Sequence, residues 1–157
     1  MSHVTDVKLR IHDLDALAEA CERLGLELRR DQKTYAWWGR FQNDSSAYGE
    51  HRPAEMGTCE HAIRVKGTAP RNGHSGPWEI GVVAAKDGDG YGLYYDTFGG
   101  AGQALTNKVG PSANALRKEY AACVATRKVT EKLSRHGWRA VREDLPTGGI
   151  RIKVRKR

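Results

Sequence analysis

Cysteine is scarce in this chain and arranged for neither bonding nor binding: Cys21, Cys59 and Cys123 are odd in number, widely spaced, and form no C-x-x-C pair. That argues against a disulfide framework and for a reducing cytosol. Long apolar runs are missing too, since the longest, Ile80 to Ala85, falls far short of the ~20 residues that a bilayer-spanning helix needs. The opening Met1-Ser2-His3-Val4-Thr5-Asp6 has neither the cationic start nor the apolar stretch of a signal peptide. The expected location is therefore the cytoplasm, with no membrane partner. Catalytic signatures are also wanting: no G-x-S-x-G, no H-E-x-x-H, no Walker pattern and no paired catalytic carboxylates. Neither an internal repeat nor a low-complexity tract is present.

What is there is positive charge, unevenly placed. The 157 residues, 39% apolar and 29% charged, have the composition of one soluble domain, which can bury roughly 70% of the surface its unfolded chain exposes. The formal net charge is +7 and the pI near 9.5. Residues 111–157 hold 13 of the 26 Lys and Arg but only 4 of the 19 Asp and Glu, a net of +9, while the first 110 residues net −2. Such a field draws polyanions and speeds their encounter, whether nucleic acid or an acidic protein surface.

Period-two alternation of Val7, Leu9 and Ile11 predicts a strand, and Asp13 then caps a helix carrying Leu14, Leu17, Ala18, Cys21 and Leu24, closed by Gly25. A second strand begins at Leu26. Residues 29–60 read as a short strand and a long loop, and His61 to Lys66 as a strand with Ile63 and Val65 inward. Trp78, Ile80, Val82 and Ala84 share one strand face. Asp87-Gly88-Asp89-Gly90 turns the chain into a second strand with Tyr91, Leu93 and Tyr95. Phe98 to Pro111 is Gly-rich and loosely patterned. From a Ser112 cap to His136 runs a long helix whose two apolar stripes do not share a face, so it bends near Arg127 or is buried on two sides. A hairpin follows around Pro146-Thr147-Gly148-Gly149, with Ile150, Ile152 and Val154 in and Arg151, Lys153 and Arg155 out, the facing of its first strand being open. The expected fold class is α+β. It comprises one domain with a mainly antiparallel sheet of about five or six strands, helices over 13–24 and 112–136, and a C-terminal β-hairpin.

The order of these pieces carries a resemblance. Ser2-His3 opens a strand, Asp13-Leu14-Asp15-Ala16-Leu17 opens the helix and Leu24-Gly25-Leu26-Glu27-Leu28 closes it. Ile80-Gly81-Val82-Val83, then Tyr91-Gly92-Leu93-Tyr94-Tyr95-Asp96 ending at Gly99, and finally Gly137-Trp138 with Ile150-Arg151-Ile152 complete the set. Together they resemble the hypothetical chloroplast reading frame thirty-five family, a domain of unknown function found in cyanobacteria, plastids and phages. Departures fall at Phe41 to Thr58, Arg71 to Gly76 and Gly100 to Ser112. The resemblance implies a compact α+β domain and, as the family has no assigned activity, assigns no catalytic residue.

Four features bear on function. Side chains at i and i+2 of a strand stand ~7 Å apart, comparable to the phosphate spacing of one nucleic-acid strand. Arg151, Lys153 and Arg155, with Lys156 and Arg157, can therefore track a phosphate backbone, while Arg117, Lys118, Arg127, Lys128 and Arg135 widen the field. The competing reading is a solvated face that keeps the domain soluble. Trp37 and Trp38 point to opposite strand faces, so one of them, with Arg40, is free to stack on a base or enter a partner's pocket, unless the loop after Asn43 covers both. Glu50, His51, Cys59, His61 and His74 offer nitrogen and sulfur ligands, but their spacing matches no closed zinc pattern, and loop histidines are the better account; no metal and no cofactor is expected. Gly99-Gly100-Ala101-Gly102 with Lys108 follows a strand as phosphate-cradling loops do, yet a loop that simply turns explains it as well. Asp96 beside it is the acid to test should an activity exist. The leading expectation is a non-enzymatic module binding nucleic-acid backbones, the alternatives being a protein adaptor or oligomeric scaffold, and a small-ligand binder or enzyme built on the glycines and Asp96.

Overall fold

A computed structural model describes residues 4–38, 55–68 and 76–156 of the chain. In order these form β1 (Val4–Ile11), α1 (Leu14–Arg23), β2 (Leu26–Arg30), β3 (His61–Val65), β4 (Ile80–Ala84), β5 (Tyr91–Asp96), α2 (Gly99–Val109), α3 (Asn114–Ser134), β6 (Trp138–Asp144) and β7 (Ile150–Lys156). The first five strands make one sheet in the order β1-β5-β4-β3-β2, each neighbour pair antiparallel. It follows that β1 and β2 run parallel at opposite edges. The helix α1 joins them by crossing the sheet, and the meander β3–β5 fills the gap. The fold is α+β, with the hairpin β6–β7 as a separate two-stranded ribbon.

Alternation decides the two faces of the sheet. Ile63, Ile80, Val82, Leu93 and Tyr95 bury themselves beneath all three helices, against Leu17 and Cys21 of α1, Leu105 and Val109 of α2, and Leu116, Tyr120 and Cys123 of α3. Fully burying a side chain of this size is worth about 1.5–3 kcal/mol, so this face supplies most of the stability. On the opposite face Tyr35, Met56, Cys59 and Ala62 form a smaller cluster with Trp37 and Val83. There the Tyr35 ring lies across Gly81, where a Cβ would stand 2.4 Å from a ring carbon.

The predicted cap of α1 is present: Asp13 accepts the Ala16 N–H at 2.8 Å, and Gly25 ends the helix at φ +71°. Two expectations are corrected. Phe98 to Pro111 is not a loose glycine segment but contains the eleven-residue helix α2. Glycine is a poor helix former, but at Gly102 a Cβ would stand 2.1 Å from the Thr97 carbonyl carbon, so the residue is set by close approach to the backbone that leads into the helix, which a periodicity reading does not register. Nor does Ser112 cap the long helix. Ser112 and Ala113 both adopt left-handed backbone (φ 50° and 54°) in the kinked 3-10 corner Pro111–Ala113, so α3 starts at Asn114 without a side-chain cap. From there α3 runs unbroken to Ser134, packed against both α1 and β6, which accounts for its two apolar stripes.

Pairing in the hairpin settles the facing of its first strand. Trp138, Ala140, Arg142 and Asp144 stand opposite Lys156, Val154, Ile152 and Ile150, and Arg139, Val141 and Glu143 opposite Arg155, Lys153 and Arg151. Val154 shares the face of Ile150 and Ile152 as expected but is 47% exposed rather than inward. Among the described residues no hairpin side chain joins either buried cluster. Polar contacts tie the ribbon to the helices: Arg142 to Glu119 at 2.7 Å, Arg23 to Asp144 at 3.7 Å, and the Lys118 ammonium donating to the Gly148 carbonyl.

Candidate nucleic-acid interface

Helix geometry gathers part of the late positive charge. At ~3.6 residues per turn, the separations from Arg117 to Lys128 and from Lys128 to Arg135 are close to whole numbers of turns, so the three fall within about 20° of one line. Lys132 stands roughly 40° to the side. All four are exposed, and none forms an ion pair among the described residues. Exposed Ala121 and Ala125 on the same side keep the surface low between them. At the end of the helix Lys128, Glu131, Lys132, Arg135 and His136 line an open groove of about 470 Å³.

The hairpin adds a second group. Arg139 and Arg155 are directly paired across β6 and β7, both exposed; neither forms an ion pair among the described residues, while the Arg155 charge helps to hold the Glu143 carboxyl down. Further along the same face Glu143 sits between Lys153 at 2.8 Å and Arg151 at 3.6 Å. The Lys153 hydrogen bond, against a smaller opposing effect of burial, holds the Glu143 carboxyl below its ordinary range. Two of the three alternating strand cations, Arg151 and Lys153, are thus engaged internally.

The eight cations singled out from the sequence therefore divide. Arg117, Lys128, Arg135 and Arg155 have no ion-pair partner among the described residues. Arg127 is held by Asp13 at 3.1 Å and Asp15 at 3.2 Å, Lys118 by the Gly148 carbonyl, and Arg151 and Lys153 by Glu143. Burial alone would push the Asp13 carboxyl up, but the Ala16 N–H and the Arg127 charge more than reverse this and leave it below its usual value. Sequence reasoning passed over Lys132 and Arg139. Counting outward from the Pro146–Gly149 turn pairs Arg139 with Arg155, the signal that could have found it.

Both early tryptophans are used in packing. Trp37 is half-buried and lays its indole nitrogen where a Gly57 Cβ would stand, at 2.6 Å, while Trp38 packs on the main core with its ring 5.1 Å from Phe98. They do face opposite ways, one toward each buried cluster. Arg40 lies outside the described residues. The exposed indole is a different one, Trp138, at 39%.

The remaining sequence candidates have structural partners. The Cys59 thiol donates to the Gln32 carbonyl at 3.1 Å, and His61 Nδ1 accepts the Asp31 N–H at 3.0 Å, so His61 is a buried strand residue rather than a loop histidine. Glu50, His51 and His74 fall outside the described residues, among which no cluster of three metal-ligating side chains occurs. Asp96 is fully buried, its two oxygens accepting the N–H groups of Phe98 at 2.8 Å and Trp38 at 3.3 Å. Glu79 is buried as well and accepts the Ala36 N–H at 2.8 Å, so both acids tie the 32–38 segment to the sheet. None of the helices in the described residues is long and apolar enough to cross a membrane.

Fold and surface together define an α+β domain with an appended cationic hairpin. Comparison of the chain with family models, curated proteins and solved structures finds no match.

Proposed function

We propose that the chain binds nucleic acid through the phosphate backbone, with little sequence preference, using α3 and the base of the hairpin. One observation carries the reading: Arg117, Lys128, Lys132 and Arg135 line one exposed side of α3, and Arg139, Arg155 and Lys156 follow at the hairpin, with no carboxylate paired to any of them among the described residues. Glu131 in the same groove offsets part of this charge, and the excess that is left costs stability through self-repulsion, a cost that a polyanion removes. The cations already held by Asp13, Asp15 and Glu143 have less to gain from phosphate, since binding must first break those pairs.

The test is fluorescence anisotropy of labelled oligonucleotides at two salt concentrations. Neutralising about four phosphates predicts a fall in affinity of roughly a hundredfold between ~50 and ~200 mM salt. Changing Arg117, Lys128 and Arg135 together to Ala should remove most of the binding, whereas changing Arg151 and Lys153 should cost much less. Affinity indifferent to salt, or unaltered in the helix variant, would reject the reading and favour a protein partner for this face.

A further inference from the structure

We infer that Trp138 is a base-stacking platform, so that the preferred ligand of this cationic surface is single-stranded rather than duplex nucleic acid. The inference rests on the backbone-binding reading above and adds a class of ligand to it. Trp138 opens β6 directly after the turn that ends α3 and is 39% exposed, the more exposed large neighbour on its face being Val154 at 47%. Residues paired across an antiparallel ribbon have Cβ atoms ~5 Å apart, which places the Lys156 stem beside the indole. Arg135 and His136 close the helix a few residues before it, and both are exposed. The indole thus has the Lys156 stem across the ribbon from it and the exposed end of the cationic helix just before it in the chain.

That combination suits a strand whose bases are splayed. In a duplex the base faces are sealed within the stack, so an indole at the level of the phosphates has nothing to lie on. A single strand offers an open π-face every nucleotide, and stacking tolerates any base, consistent with a surface that presents cations for the backbone. The other tryptophans lack this setting: Trp78 is buried and gives its indole N–H to the Phe98 carbonyl at 2.9 Å, and Trp37 and Trp38 are packed as described.

Three probes separate the contributions: a labelled oligothymidylate, a duplex of equal length, and polyphosphate, which carries the charge but no bases. The wild-type protein should bind oligothymidylate more tightly than duplex and quench its tryptophan fluorescence on doing so. Trp138→Ala should lower oligothymidylate affinity by roughly tenfold to a hundredfold and leave polyphosphate binding within about twofold, while Trp138→Phe restores most of the loss. Equal effects of Trp138→Ala on oligothymidylate and polyphosphate, or duplex binding as tight as single strand, overturns the stacking role while the backbone reading stands. Wild-type protein that binds none of the three at low salt removes both.

Discussion

Arg142 of β6 meets Glu119 of α3 at 2.7 Å, with side chains only 9% and 17% exposed, and the same guanidinium reaches Asp144 at 2.8 Å. Since no hairpin side chain joins the described buried core, this junction fixes the ribbon, and with it Trp138 and Arg139, relative to the α3 cations. A two-stranded ribbon is marginal by itself, so its order depends on the anchor. Glu119→Gln, which leaves a shielded guanidinium short of its charge partner, should cost about 1.5–3 kcal/mol. Hydrogen exchange should show the loss concentrated in β6 and β7, with β1–β5 still protected. Exchange that rises uniformly over the whole protein would mean the pair supports the global fold instead.

Tyr120 ties α3 to the entry of α1, its hydroxyl accepting the His12 N–H at 2.9 Å and the Asp13 N–H at 3.2 Å. Both donors precede the first helical hydrogen bond and have no intrahelical acceptor. Tyr120→Phe keeps the ring in the core and removes the acceptor alone. The expected loss is about 1–3 kcal/mol, read as a lowered midpoint in urea with an unchanged slope. A variant within ~0.5 kcal/mol of wild type would show that water replaces the hydroxyl.

Period and punctuation revealed most of the fold. Val7 and Ile11, Asp13 and Gly25, and the Asp87–Gly90 turn all announce their elements locally, and local rules suffice there because each residue answers to its own strand or helix. The glycines of α2 do not, since Gly102 is chosen by close approach to the Thr97 backbone, a contact set by how the chain turns into the helix rather than by any apolar period. The candidate surface was partly legible in the same sense. Charge excess in residues 111–157 is a sum, visible without coordinates, but pairing depends on what approaches: Arg127 finds Asp13 and Asp15, more than a hundred positions earlier. Trp138 escaped notice because exposure, unlike identity, is a property of how the hairpin is mounted.

His61 should make stability fall on mild acidification. Burial of its ring depresses the imidazole pKa below the ordinary 6.5, with the nearby Asp31 charge opposing and Lys33 and Arg30 assisting. Protonation at Nδ1 would also set two donors face to face, since that atom accepts the Asp31 N–H. The unfolded chain therefore takes up the proton first, and the stabilisation is complete above about pH 6.5 and lost as pH drops through the folded value. His61→Asn keeps an acceptor near Nδ1 without a titrating group. Denaturation midpoints measured from pH 7.5 down to 5 should decline for the wild type and more gently for the variant, and parallel curves would assign the acid sensitivity elsewhere.

Cysteine chemistry offers a last check, because the three thiols divide between the two buried clusters. Burial pushes Cys21 up to about 12, aided by Glu22 and the neighbouring Cys123, and it pushes Cys59 up to about 12, aided by Glu60; Cys123 is raised as well, chiefly by burial. The thiolate is the reactive form, so a buried thiol at this level reacts only when its surroundings open. Cys21 and Cys123 lie in the large cluster between α1 and α3, whereas Cys59 belongs to the smaller cluster on the other face of the sheet. A disulfide-exchange reagent at pH 8 should thus leave folded protein almost untouched, then label Cys59 first through opening of the smaller face. Cys21 and Cys123 should follow together at a rate set by global unfolding. Adding denaturant below the midpoint should accelerate the later pair more steeply than Cys59, because their opening exposes more surface. Immediate labelling of any one thiol in the native protein would contradict the packing described for that cluster.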